Sequence, residues 1–219
     1  METCAYLTAF LIFSPILVII VRALYLIYQI STTDSRLMSE NSSLRTILCI
    51  GSGGHTTELL RLVKNLNFDK YQPRLYILAE NDVSSEVKIH KTEQIVPNVN
   101  TKYTLGRIPR SRNVLQSFLS SIFSTIYATL FCVPLIFNFK PNVIFCNGPG
   151  TCVPICIVAF ILRCLFIIDC RIVFIESICR IRTMSLTGKI LQFFADIVIV
   201  QWPQLRDVCF RAKYFGRLT

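Results

Sequence analysis

Residues 46–58 read Thr46-Ile47-Leu48-Cys49-Ile50-Gly51-Ser52-Gly53-Gly54-His55-Thr56-Thr57-Glu58. The uncharged run 46–50 has the composition of a strand buried on both faces of a parallel sheet. Gly51, Gly53 and Gly54 then permit a sharp turn without a Cβ clash, and Leu59, Leu60, Leu62, Val63 and Leu66 follow in a helical pattern. A helix that starts at such a loop aims free N–H groups and the positive end of its dipole into it, which suits a phosphate or diphosphate. His55 sets the loop apart, because neither common phosphate loop has a histidine there. The dinucleotide fingerprint matches Gly51 and Gly53 but meets Thr56 in place of its third glycine. The Lys-Ser/Thr pair of a P-loop is missing, and Glu80 falls beyond the ~20 positions at which a ribose-binding acid follows the glycines.

The chain has 219 residues, enough for one large domain, or one domain plus an anchor, but not for two full α/β domains. Apolar residues make up 53% and mean hydropathy is +0.53, an excess that is unevenly spread. Residues 3–21 carry no charge, and after Arg22 the next charge is Asp34. That stretch covers the ~20 apolar residues of a bilayer crossing, with Tyr25 and Tyr28 placed as interfacial anchors and Arg22 able to snorkel. A cleaved signal peptide fits badly, since only Glu2 precedes the run and no small-residue cleavage site follows it. Arg22, Arg36 and Arg45 lie on the carboxyl side of the span, so the bulk of the chain is expected in the cytosol.

Ten cysteines, among them Cys49, Cys132, Cys146, Cys156 and Cys164 in apolar segments, read as reduced core thiols. With no Cys-x-x-Cys pair and two histidines, no metal or cofactor is expected. Asn41-Ser42-Ser43 is a glycosylation sequon only if that side is lumenal. The net charge of +10 is scattered, which argues against a nucleic-acid partner. Arg107, Arg110 and Arg112 form one tight basic group in an expected loop with Pro109. They suit anionic lipid head groups or a lipid diphosphate.

The expected organisation is a transmembrane anchor at 1–30, a Ser/Thr/Asn-rich linker at 31–44 and a domain at 45–219. Strands are expected at 46–50, 75–79, 102–105, 143–146, 172–175 and 197–200, with helices at 57–65, 84–94, 114–137, 154–165 and 186–194. This alternation predicts an α/β fold, a Rossmann-like parallel sheet with right-handed crossovers. Residues 117–139 are also uncharged. The expected structure there is a helix packed on the sheet with one face in the membrane interface, because Ser117, Ser120, Ser121, Ser124 and Thr125 dilute it.

In an open parallel sheet, ligands bind beyond the carboxyl ends of the strands. Three loops fall there: 51–56, Asn147-Gly148-Pro149-Gly150-Thr151, and Glu176-Ser177. Ser52, Gly53, Gly54, Thr56, Asn147, Gly148, Gly150 and Thr151 are candidates to hold a phosphate-bearing acceptor. The reaction such a set fits is attack of a hydroxyl on an activated sugar, in which a base removes the proton. Histidine titrates near neutrality, so His55 is a candidate base. Glu176 could be the base instead, orient the imidazole, hold the acceptor sugar, or pair with Arg180 or Arg182.

Gly51-Ser52-Gly53-Gly54-His55, Lys140-Pro141-Asn142-Val143-Ile144 leading into Asn147-Gly148-Pro149-Gly150, Glu176-Ser177, and the run from Ala195 to Pro203 resemble the amino-terminal half of GT-B glycosyltransferases of the bacterial lipid II-forming type. More closely, the chain resembles the membrane-anchor subunits of the eukaryotic two-subunit transferase that adds the second N-acetylglucosamine to dolichyl-diphosphate-N-acetylglucosamine. The resemblance implies that this half binds the lipid acceptor at the endoplasmic reticulum membrane, as a single-pass protein with its main domain on the cytosolic face. It also implies a separate soluble subunit that carries the UDP-N-acetylglucosamine site. It puts Gly53, Gly54 and His55 on the acceptor loop and Glu176 on the acidic position after the fifth strand. Thr57-Glu58 and Ile178 depart from the bacterial pattern. The 16 residues after Pro203 cannot form a donor domain, and Tyr214-Phe215-Gly216 are expected to contribute to partner docking. Competing readings are a membrane receptor without chemistry and a membrane-tethered NAD-type oxidoreductase, the latter opposed by the missing third glycine.

Overall fold

The computed structural model describes residues 2–32, 43–95, 102–112 and 116–218. Its centre is a sheet of seven parallel strands in the order β3-β2-β1-β4-β5-β6-β7. The strands are β1 (Thr46–Cys49), β2 (Arg74–Ala79), β3 (Tyr103–Ile108), β4 (Val143–Asn147), β5 (Arg171–Ile175), β6 (Ile197–Val200) and β7 (Ala212–Tyr214). The helices are α1 (Glu2–Thr32), α2 (Gly54–Lys64), α3 (Val83–Gln94), α4 (Phe118–Phe139), α5 (Cys152–Cys164) and α6 (Leu186–Leu191), with a 3-10 turn at Pro203–Arg206. The chain winds outward from β1 to β3, then returns to place β4 on the other side of β1. The switch point of the sheet therefore lies between β1 and β4, where the crevice of a doubly wound fold opens.

Side-chain alternation along the strands builds two cores. Ile47, Cys49, Ile144, Cys146 and Phe174 face α4, α5 and α6, while Leu48, Ile50, Tyr76 and Leu78 face α2 and α3. The expected fold is borne out, and the six expected strands each lie within about a turn of their expected limits. β3 continues to Ile108, so Arg107 stands on a strand rather than in a loop. β7 escaped prediction because three residues, Ala212-Lys213-Tyr214, at a sheet edge carry little pattern. Most of the expected linker, including Asn41 and Ser42 of the sequon, lies outside the described residues.

Phe13–Thr32 is long and apolar enough to cross a bilayer. Its carboxyl end is fixed to the domain: Leu26 and Ile30 are buried, and Arg211 Nη2 donates to the Ile30 carbonyl at 2.5 Å. Leu119–Phe139 passes the same length test. However, α4 joins two strands of one sheet, so both of its ends stay on the sheet's side of any membrane. It packs by a single stripe, Ala128, Cys132 and Ile136, and exposes Phe123, Tyr127, Leu130 and Phe137. The geometry agrees with a helix laid on the sheet rather than a second span.

Candidate functional site

The β1–α2 and β4–α5 loops meet at the switch point. Gly53 has φ +61° and Gly148 φ +68°, values that few side-chain-bearing residues adopt. A Cβ on Gly51 would lie 2.7 Å from His55 Cβ, and one on Gly148 would lie 2.7 Å from His55 Cε1. The glycines are thus what allows the imidazole to fit between the two loops. His55 Nδ1 lies 3.3 Å from Asn147 Oδ1; in the tautomer that donates from Nδ1 to this oxygen, Nε2 keeps its lone pair.

Around this ring is a crevice of about 780 Å³. Gly51, Ser52 and His55 form one wall, with Gly148, Pro149, Gly150 and Thr151 beside them. Arg110, Arg112 and Arg180 also line it, a cationic set suited to a diphosphate. Helix α2 begins at Gly54 with no side-chain cap, leaving its first N–H groups for an anion. Two polar atoms at the site are buried without a hydrogen-bond partner among the described residues, Asn147 Nδ2 and Ser111 Oγ. Ser111, between the two arginines, is itself a lining residue. Its carbonyl accepts from Ser124 Oγ at 2.6 Å and Thr125 Oγ1 at 3.3 Å, which pins the arginine loop to α4.

Several predicted site residues support the crevice rather than line it. Thr56 is fully buried: its hydroxyl donates to the Gly51 carbonyl at 2.9 Å and contacts Ser85 Oγ at 2.8 Å. It fixes the loop from behind. The Gly53 carbonyl accepts from Lys88 Nζ, and Gly54 opens α2. Asn147 sits beneath His55. Arg107 is not among the lining residues and pairs with Glu86 at 2.6 Å, because β3 extends through it and ends before the loop that holds Arg110 and Arg112.

Glu176 is also fully buried. Its carboxylate accepts from Ser177 N at 3.0 Å, Ser185 N at 2.9 Å and Ser185 Oγ at 3.0 Å, and no arginine pairs with it among the described residues. Burial pushes this carboxyl above the usual carboxylate range, against hydrogen bonds from Ser185 and Ser177 that pull it down. Glu176 is not among the residues that line the crevice, and its hydrogen bonds brace residues 177–185. A second acid, missed from sequence, does similar work: Glu58 on α2 accepts from Ser177 Oγ at 2.9 Å and from Ile178 N. The three loops are therefore tied together by buried hydrogen bonds.

Below the floor, thiols from three elements converge. Sγ of Cys49, Cys146 and Cys152 all lie within 4.8 Å of one another, and Cys156 Sγ is 3.2 Å from that of Cys146. Burial raises the Cys49 and Cys146 thiols well above their ordinary value, so they remain protonated.

Among known proteins, the family model described as "Oligosaccharide biosynthesis protein Alg14 like" matches residues 46–218. The chain belongs to this family. The mouse UDP-N-acetylglucosamine transferase subunit ALG14 is 49% identical over 188 residues, covering 83% of this chain and 86% of that protein. The human protein of the same name is 44% identical over 187 residues, again covering 83% and 86%. That of Candida albicans is 34% identical over 219 residues, covering 99% and 98%.

Solved structures show the fold. MurG of Acinetobacter baumannii superposes with a TM-score of 0.50 at 16% identity, covering 73% of this chain and 41% of that one. UDP-N-acetylglucosamine 2-epimerase of Rickettsia bellii gives 0.51 at 13%, covering 80% and 45%. This Alg14-family chain thus spans less than half of either solved chain.

Proposed function

We propose that this chain is the acceptor-binding subunit of a UDP-N-acetylglucosamine transferase. In this reading it adds the second N-acetylglucosamine to dolichyl-diphosphate-N-acetylglucosamine together with a soluble, donor-binding partner. Helix α1 holds it in the endoplasmic reticulum membrane with the domain in the cytosol. The observation that carries the reading is His55, seated between two glycine loops at the switch point, with Nδ1 beside Asn147 Oδ1 and three arginines lining the same crevice.

In mechanism, the acceptor diphosphate lies against the α2 amino terminus, the loop at 148–151, and Arg110, Arg112 and Arg180. This brings the acceptor sugar's hydroxyl near His55. As that oxygen attacks the anomeric carbon of the donor sugar, Nε2 takes its proton and the UDP leaves with the bonding pair. The ring then carries a positive charge, which the Asn147 carbonyl oxygen stabilises through Nδ1–H. Glu176, Glu58 and Thr56 position the loops. The partner closes the crevice over the reacting atoms and excludes water.

Reconstitution tests this. The chain mixed with its soluble partner transfers sugar from UDP-N-acetylglucosamine to an N-acetylglucosaminyl lipid diphosphate, and neither component does so alone. Robust transfer by the isolated chain would refute the half-enzyme reading.

A further inference from the structure

The crevice walls are of two kinds. One end is the glycine loops, His55 and the arginines. The other comes from α4 and α6, where Leu119, Ile122, Ile126, Leu186 and Ile190 line the same cavity beside Ser121, Thr125 and Thr187. Positions 119, 122 and 126 form one helical stripe. Ile122 and Ile126 are each more than half exposed, at 54% and 55%, although they line a cavity. Apolar side chains left open in this way mark a surface that a ligand covers.

Two further observations bear on what covers it. The stripe is continuous with the outer face of α4, where Phe123, Tyr127 and Leu130 are exposed and no charge occurs from Ser117 to Phe139. The arginine loop is bound to this same helix through Ser124 and Thr125. Cationic clamp and apolar stripe are therefore held in fixed relation. A ligand that matches both ends is an amphiphile, a diphosphate carrying a long chain with no hydrogen-bonding groups.

We infer that the stripe Leu119-Ile122-Ile126, with Leu186 and Ile190 of α6, is a subsite for the first units of the acceptor's isoprenoid chain. The chain leaves the crevice along α4 toward the bilayer. The diphosphate is thereby held at one depth, and the sugar beyond it is set against His55. This rests on the acceptor reading above. The subsite makes the apolar chain a source of specificity as well as an anchor in the membrane, since its contact with Ile122 and Ile126 orders the head group for reaction.

The test compares two N-acetylglucosaminyl diphosphates, one on a phytanyl and one on a butyl chain, in detergent with the reconstituted transferase. Wild type prefers the phytanyl acceptor in kcat/KM. Ile122→Asn and Ile126→Asn lower that preference about tenfold each, mainly through the KM of the phytanyl acceptor, as expected for losing one buried aliphatic contact. An unchanged preference overturns the subsite. A second measurement does not depend on turnover: farnesyl diphosphate with a terminal diazirine, photolysed on the full-length chain, labels the peptide that contains residues 119–126. Label found only elsewhere also overturns it. No transfer to either acceptor by wild type, with labelling of that peptide intact, would count against the transferase reading and leave the apolar subsite standing.

Discussion

Asn147 Oδ1 and His55 Nδ1 lie 3.3 Å apart across the β1–β4 switch point, although the two residues belong to different crossovers. In the proposed mechanism the amide oxygen accepts from Nδ1–H, which leaves Nε2 as the proton acceptor. Asn147→Ala should therefore lower kcat by about tenfold or more, within the range of a general-base contribution, with little change in acceptor KM. Asn147→Asp gives the sharper result. A carboxylate beside the imidazole favours the charged ring over the neutral base. Since the base must be neutral, the acidic limb of the kcat profile should move to higher pH. A limb that stays in place would remove His55 from that role.

Thr56 carries the β1–α2 loop from behind. Thr56→Val, which deletes the hydroxyl that bonds the Gly51 carbonyl, should cost about 1–3 kcal/mol of stability. Thr56→Ser keeps the hydrogen bond and should cost less. Thermal unfolding in detergent compares them, and equal losses would assign the effect to packing alone.

Much of this arrangement is legible in the sequence, for identifiable reasons. β1, β4 and β5 are short apolar runs ended by glycine or acid, and the loops after them fall at one sheet edge by topology. The direction in which a loop side chain points is not written in that pattern. Thr56 and Glu176 follow apolar strands as ligand-binding residues do, yet both turn inward to satisfy backbone and serine groups. Arg107 is separated from Arg110 by the end of a strand, which the sequence does not mark. The 119–122–126 stripe is hard to see in the sequence, because α4 carries no charge and its serines and threonines are scattered among apolar residues that line every face.

Away from the site, Arg74 and Glu93 form a buried bidentate pair, with side-chain exposures of 1% and 2%. Tyr76 also donates to Glu93. Glu93→Ala leaves the guanidinium buried without its carboxylate and should destabilise the domain by about 3–5 kcal/mol. Arg74→Met with Glu93→Leu should recover much of that loss. A double variant as unstable as the single one would contradict this account.

Glu176 predicts a pH dependence. Its carboxyl is raised in the folded state because burial disfavours the charge. The folded chain thus binds this proton more tightly than the unfolded chain, a contribution to stability fully present below the unfolded value near 4.3 and lost as pH rises through the folded one. Wild type should lose stability relative to Glu176→Gln as pH rises from about 4 through that value. Unfolding temperatures at a series of pH values check this, and a constant difference would contradict it.

The central claim, that the glycine-loop imidazole acts on the acceptor, is tested most directly by His55→Ala in the reconstituted transferase. The account predicts that kcat falls at least about tenfold while capture of the soluble partner is retained. Wild-type turnover by that variant would contradict it and leave the chain a receptor for an enzyme whose chemistry lies elsewhere.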